Sequence, residues 1–158
     1  IIDDPAGVES TERSCAGLGW LPVRTVYVAG KVTRLVVGSG PDGTRVRGYE
    51  IRHGRIEPRV GCVPWLTTDT VGDALGALDA SGGVLGTTVH GLFEEDGFRS
   101  WFLGLVAERR GRPWRPAGKS YAAARERQID RIADACAEHL DTDRLWRLVE
   151  AGSFVERN

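Results

Sequence analysis

Gly86-Thr87-Thr88-Val89-His90-Gly91-Leu92-Phe93 marks the point where the chain changes from strand to helix. Upstream of it, Val84 to Val89 is a short apolar run bounded by Gly82-Gly83 and His90-Gly91, which reads as a strand. Downstream, Phe98, Trp101, Phe102, Leu105 and Val106 recur at i, i+3, i+4, i+7 and i+8, the single apolar face of a helix. A histidine between the two stands at the carboxyl edge of a sheet, where open α/β sheets place their active sites. Histidine as a residue type titrates near about pH 6.5, so it can take and return a proton. A structural histidine bonded to a loop carbonyl is the other reading the local pattern leaves open.

Working outward, Trp20–Val28, Val32–Val37 and Thr44–Ile51 are rich in β-formers, with Gly30-Lys31 and Ser39–Gly43 between them as turn signals. They predict three short strands in an antiparallel meander rather than βαβ units. Ile1 to Gly19 reads as loop. Between Gly61 and Gly82, Pro64, Gly72 and Gly76 argue against one long element. Gly111 and Pro113 end the first helix. Ser120 is placed to cap a second, reaching Leu140, with Tyr121, Ile129, Ile132, Cys136 and Leu140 on one side. Asp141 caps a short last helix holding Leu145, Trp146 and Val149. Strands over about 20–89 and helices over about 97–151 make an α/β chain.

The 158 residues carry 21 basic and 22 acidic side chains, a balance that argues against a general nucleic-acid or anionic-membrane binder. No apolar run nears the roughly 20 residues of a membrane span, and the opening residues do not read as a signal peptide, so none is expected. Cys15, Cys62 and Cys136 form no C-x-x-C pair, and His53, His90 and His139 do not join them at metal-ligand spacing. Reduced thiols in the cytoplasm and no metal site are therefore expected. The chain opens Ile1-Ile2-Asp3-Asp4 and holds no methionine, so it is expected to begin inside a longer polypeptide.

A second cluster, Arg47-Gly48-Tyr49-Glu50-Ile51-Arg52-His53-Gly54-Arg55, gathers a carboxylate, an imidazole and three guanidinium groups. Arginine grips carboxylates in a two-pronged fork, so this set could hold an amino acid. A solvated edge strand of alternating charges is the competing reading.

Taken together, these stretches resemble cobyric acid synthases. Gly48-Tyr49-Glu50-Ile51, with a histidine and Gly54 following, resembles their G-Y-E-I-H-x-G segment, and Gly86–Phe93 resembles G-T-Y-L-H-G-L-F. Asp4-Pro5-Ala6-Gly7-Val8-Glu9 and Gly17-Leu18-Gly19-Trp20-Leu21-Pro22-Val23 are similar to D-P-x-G-V-E and G-L-G-L-L-P-V. Phe98-Arg99 and the segment from Ser120-Tyr121 fit the C-terminal helices, so the resemblance covers essentially the whole chain in order.

The resemblance implies a class I glutamine amidotransferase fold: a flavodoxin-like sheet with antiparallel additions, incomplete on its N-terminal side, followed by C-terminal helices. Residues 1–158 would be one partial domain. It implies His90 as the catalytic histidine and Tyr49, Glu50 and His53 as substrate-binding residues. Glutamine would be hydrolysed by a cysteine thiolate with histidine moving the proton. The released ammonia would amidate a corrinoid, adenosylcobyrinic acid a,c-diamide, on the route to cobalamin. ATP and Mg²⁺ would belong to a preceding synthetase domain, with no cofactor in this chain.

Three departures stand out. The G-x-C-G-G elbow carrying the nucleophile should precede Asp4 and is absent. Cys15-Ala16-Gly17 lacks the apolar strand before it and the helix after it that such an elbow needs. Leu92 stands where an H-x-E glutamate would orient the histidine, leaving the third triad member unassigned. Arg52 takes the place of the first histidine after G-Y-E-I, leaving His53 for its role. Gly38–Gly43 lacks the Lys-Ser/Thr of a phosphate loop and reads as a hairpin turn. Related amidotransferases acting on cell-wall precursors, and a non-catalytic docking module on the same scaffold, are the alternatives.

Overall fold

A computed structural model describes residues 1–68 and 75–152. Its central feature is a long hairpin of β3 (Val23–Ser39) and β4 (Arg45–Pro58), paired antiparallel from Val23 opposite Pro58 to Ser39 opposite Arg45. Strand residues alternate faces. Val36, Val46 and Glu50 point inward and are buried, whereas Leu35, Val37, Tyr49 and Ile51 are exposed. The turn is fixed by Asp42, whose carboxylate accepts the Thr44 N–H at 3.0 Å and the Thr44 hydroxyl at 2.8 Å.

Where the sequence predicts three strands there are two. Gly30-Lys31 is a bulge, not a turn: pairing runs Tyr27 to Gly54, then resumes at Val32 to Arg52. The extra residues on β3 are held by β4 side chains, with Arg55 donating to the Gly30 carbonyl at 2.8 Å. The first segment is not all loop either. β1 (Ile2–Asp3) pairs parallel to β3, and β2 (Ser14–Cys15) pairs antiparallel to β1. Between them Asp4 is buried, and its carboxylate accepts the N–H groups of Val8, Glu9 and Ser10 at 2.7–2.9 Å. Burial would raise this carboxyl, but the three backbone bonds hold it below its ordinary value.

β5 (Val63–Pro64) is followed by β6 (Thr67–Thr68), which pairs with the end of β3. β7 (Gly76–Leu78) is flanked by β5 and β8 (Leu85–Thr87) in a separate antiparallel sheet. The expected strand Val84–Val89 is thus shorter at both ends. Pro64 and Gly76 fall in short strands, and Gly72 lies outside the described residues. Overall the elements are α/β with one mixed sheet, in which β1 and β3 are the parallel pair among the described residues.

A 3₁₀ turn (Leu92–Glu94) leads into α1 (Asp96–Arg109). Phe98 is 1% exposed and joins Val36, Val46, Trp65, Leu66, Leu75, Val89 and Leu92 in the core, with Trp101 and Phe102 packed beside it. Val106, expected on the same face, is exposed. The buried Trp65 indole donates to the Gly86 carbonyl at 2.7 Å, so the core carries this polar atom satisfied.

The chain divides into two units, one of Ile1–Ala117 and one beginning at Gly118. No helix or strand spans Arg110–Ser120, where Gly111, Pro113, Pro116 and Gly118 interrupt regular structure. The second unit holds α2 (Tyr121–His139) and α3 (Thr142–Glu150), capped as expected by Ser120 and Asp141. Their side chains accept from the N–H groups of Ala123 at 3.3 Å and Arg144 at 2.9 Å.

Phe98→Ala should lower stability by about 3–5 kcal/mol, since the surrounding aromatic cluster can collapse only partly into the void. A urea titration of the two proteins measures it; a loss under about 1 kcal/mol would place Phe98 outside the cooperative core.

Candidate functional site

The site is built where one segment serves two sheets. β8 pairs with β7, and the Thr88 N–H still donates to Leu75 beside that sheet at 3.1 Å. Two residues later the backbone has crossed to β4. The His90 N–H donates to the Tyr49 carbonyl at 2.8 Å, and the Tyr49 N–H donates to the His90 carbonyl at 3.1 Å. This approach requires Gly48: a Cβ there would run into the His90 carbonyl and lie 2.6 Å from Val89 Cγ1. Gly91 then turns the chain with φ +78°, open to glycine without strain, and starts the 3₁₀ turn.

The result is an exposed His90 imidazole lying on the Tyr49 ring, with centroids 5.1 Å apart and planes at 15°. Both rings are reachable from solvent, Tyr49 being 42% exposed. Beneath them Glu50 is fully buried. Its Oε2 accepts from Arg34 Nε at 2.7 Å, and its Oε1 accepts from Arg52 Nε at 2.8 Å and from the Thr88 hydroxyl at 2.6 Å. Burial by itself would push this carboxyl up. The Thr88, Arg52 and Arg34 bonds outweigh it and hold the group below its ordinary value of 4.5, as an anion.

Of the residues expected to meet substrate, Tyr49 lies against His90. Glu50 faces inward, with both oxygens engaged by protein groups. His53 lies about 13 Å further along β4 at strand pitch. Its Nδ1–H donates to the Val28 carbonyl at 3.1 Å, so it pins the β3 bulge. Leu92, in the place of an orienting glutamate, is 5% exposed in the core. Cys15 is exposed in β2, a two-residue extended strand, and not in a strand–turn–helix elbow.

The Glu50 network escapes a one-dimensional reading because Arg34 lies on the other strand and Thr88 follows β8 of another sheet. A sign of it was present: Glu50 and Arg52 are two apart, so they share a strand face. The Asp4 loop likewise gives physical content to D-P-x-G-V-E, a carboxylate followed at the right distance by backbone donors.

Gly38–Gly43 closes the β3–β4 hairpin and opens no helix that could present its N-terminus to a phosphate. No group of three His, Cys, Asp or Glu side chains suited to a metal ion occurs among the described residues. No helix among them is long and apolar enough to cross a membrane.

A solvent-facing histidine at a strand end, stacked on a tyrosine and anchored over a buried carboxylate, can exchange protons with a bound molecule. Residues 1–98, which include the whole of this arrangement, match the CobB/CobQ-like glutamine amidotransferase domain, and the chain belongs to that family. Among individual proteins it is similar to cobyric acid synthases. It is 44% identical to that of Streptomyces avermitilis over 147 residues, covering 92% of this chain and 27% of the relative. For Nocardia farcinica the identity is 42%, over 97% of this chain and 31% of the relative. For Moorella thermoacetica it is 35%, over 91% and 30%. The chain therefore spans about a third or less of the curated relatives it matches.

The depressed Glu50 value sets a pH dependence. Its contribution is complete above the ordinary value of 4.5 and is lost as pH falls through the lower folded value. Urea midpoints should hold from pH 7 to 5 and fall below about 4.5, with part of that fall absent in Glu50→Gln. That variant should also cost about 3 kcal/mol at pH 7, because it removes the buried charge that both guanidinium groups bond. Identical acid profiles for the two proteins would assign the fall to other carboxylates.

Proposed function

We propose that this chain is the histidine-bearing part of the glutaminase of a cobyric acid synthase. The observation that carries the proposal is the exposed His90 stacked on Tyr49, inside the segment that matches the amidotransferase family. The similarity to cobyric acid synthases supports the acceptor class.

In this reading a cysteine thiolate adds to the side-chain amide carbon of glutamine. The protonated His90 ring gives its proton to the departing nitrogen, ammonia leaves, and a thioester remains. His90 then takes a proton from water as it attacks that thioester, releasing glutamate and the thiolate. Tyr49 supports the imidazole from below and offers its phenol to the bound amino acid. The nucleophile is assigned to a strand–turn–helix elbow outside these 158 residues, in the flavodoxin-like part of the same fold. The position of Cys15 in an exposed strand supports that assignment. ATP-dependent amidation of the corrinoid adenosylcobyrinic acid a,c-diamide belongs to another part of the protein, and cytoplasmic residence accords with three free cysteines.

In the full-length protein, His90→Ala should cut glutamine-dependent ammonia release roughly 10²- to 10⁴-fold while amidation from added ammonium salt persists. Coupled assay of glutamate formation checks this. Unchanged glutamine hydrolysis in His90→Ala would overturn the reading. Ammonia release by the 158-residue chain alone that disappears in Cys15→Ala would overturn the external nucleophile.

A further inference from the structure

A proton-shuttling histidine needs something to fix its ring, and the position two residues after His90 cannot supply it. Leu92 is buried in the core with Phe98. What fixes His90 is found instead on the strand beneath. The ring lies on Tyr49, and the His90 backbone is bonded to Tyr49 through both its N–H and its carbonyl. Tyr49 is next in β4 to Glu50, and Thr88 is two residues before His90. The single bond from the Thr88 hydroxyl to Glu50 Oε1, 2.6 Å long, therefore ties the incoming side of the His90 segment to the strand that carries its stacking partner.

The carboxylate is itself immobilised. Arg34 of β3 and Arg52 of β4 hold its two oxygens from different strands, and Glu50 has no exposed surface. A fully buried anion one residue from the exposed Tyr49, closed to substrate, has a mechanical use.

We propose that Glu50, acting through the Thr88 hydroxyl, is the positioning residue that sets the His90 ring over Tyr49. The inference rests on the reading of His90 as the proton shuttle. Its geometric part stands apart from that reading and is measured separately.

Thr88→Val removes the hydroxyl at nearly constant shape and leaves both arginine pairs of Glu50 in place. In the chain as it stands, the ring protons of His90 carry a ring-current shift from Tyr49. By proton–carbon correlation NMR, Thr88→Val should move them toward the values of free histidine while the ring signals of His53 and His139 stay fixed. In the full-length protein the same change should lower kcat for glutamine hydrolysis roughly 10- to 100-fold, a cost in line with a misplaced catalytic group. KM should stay within about twofold, and Thr88→Ser should restore both readouts. Unmoved His90 signals, an unchanged kcat, or a Thr88→Ser variant that behaves like the valine would each overturn the proposal. If His90→Ala itself spared hydrolysis, the functional reading would fail and the NMR result alone would decide whether Glu50 positions the ring.

Discussion

The Glu50 carboxylate is the constraint on which the site depends. A buried anion is costly unless every lone pair is answered, and this one is answered from three directions. Arg34 reaches it across the hairpin, Arg52 along its own strand, and Thr88 from the segment that leaves β8. Because the donors come from different elements, the charge makes their mutual placement specific where apolar packing would tolerate slippage. Val36 and Val46 beside it belong to a core that any well-sized aliphatic could fill; the carboxylate admits one arrangement.

That arrangement explains why a glycine precedes the tyrosine. The segment leaving β8 must come close enough to β4 for Thr88 to reach Glu50 and for His90 to pair with Tyr49. At Gly48 the approach leaves no room for a Cβ. Glycine, tyrosine and glutamate in succession thus do separate work: clearance, support for a ring, and anchorage. The following Ile51 faces solvent and takes no part in the anchoring.

Much of this was legible in one dimension and some of it was not. The helices and their caps at Ser120 and Asp141 follow from period and from short polar side chains, local signals that need no partner. His90 at a strand end was legible for the same reason. The bulge at Gly30-Lys31 was not, because a glycine that kinks a strand and one that reverses it look alike until the opposite strand is known. Glu50 was expected to meet substrate, and two of the groups that hold it, Arg34 and Thr88, are distant in sequence. The family match places the chain among glutamine amidotransferases, which the motifs had anticipated, and the local geometry adds what each motif residue holds.

The double backbone pairing of His90 with Tyr49 has a chemical corollary. An amide N–H can stabilise the negative oxygen of a tetrahedral intermediate only if it is unengaged and aimed at that oxygen. The His90 amide is committed to the sheet, so this residue can serve chemistry through its ring alone. In the proposed glutaminase reading, an oxyanion hole would therefore be assembled from other backbone donors, leaving His90 the proton transfer.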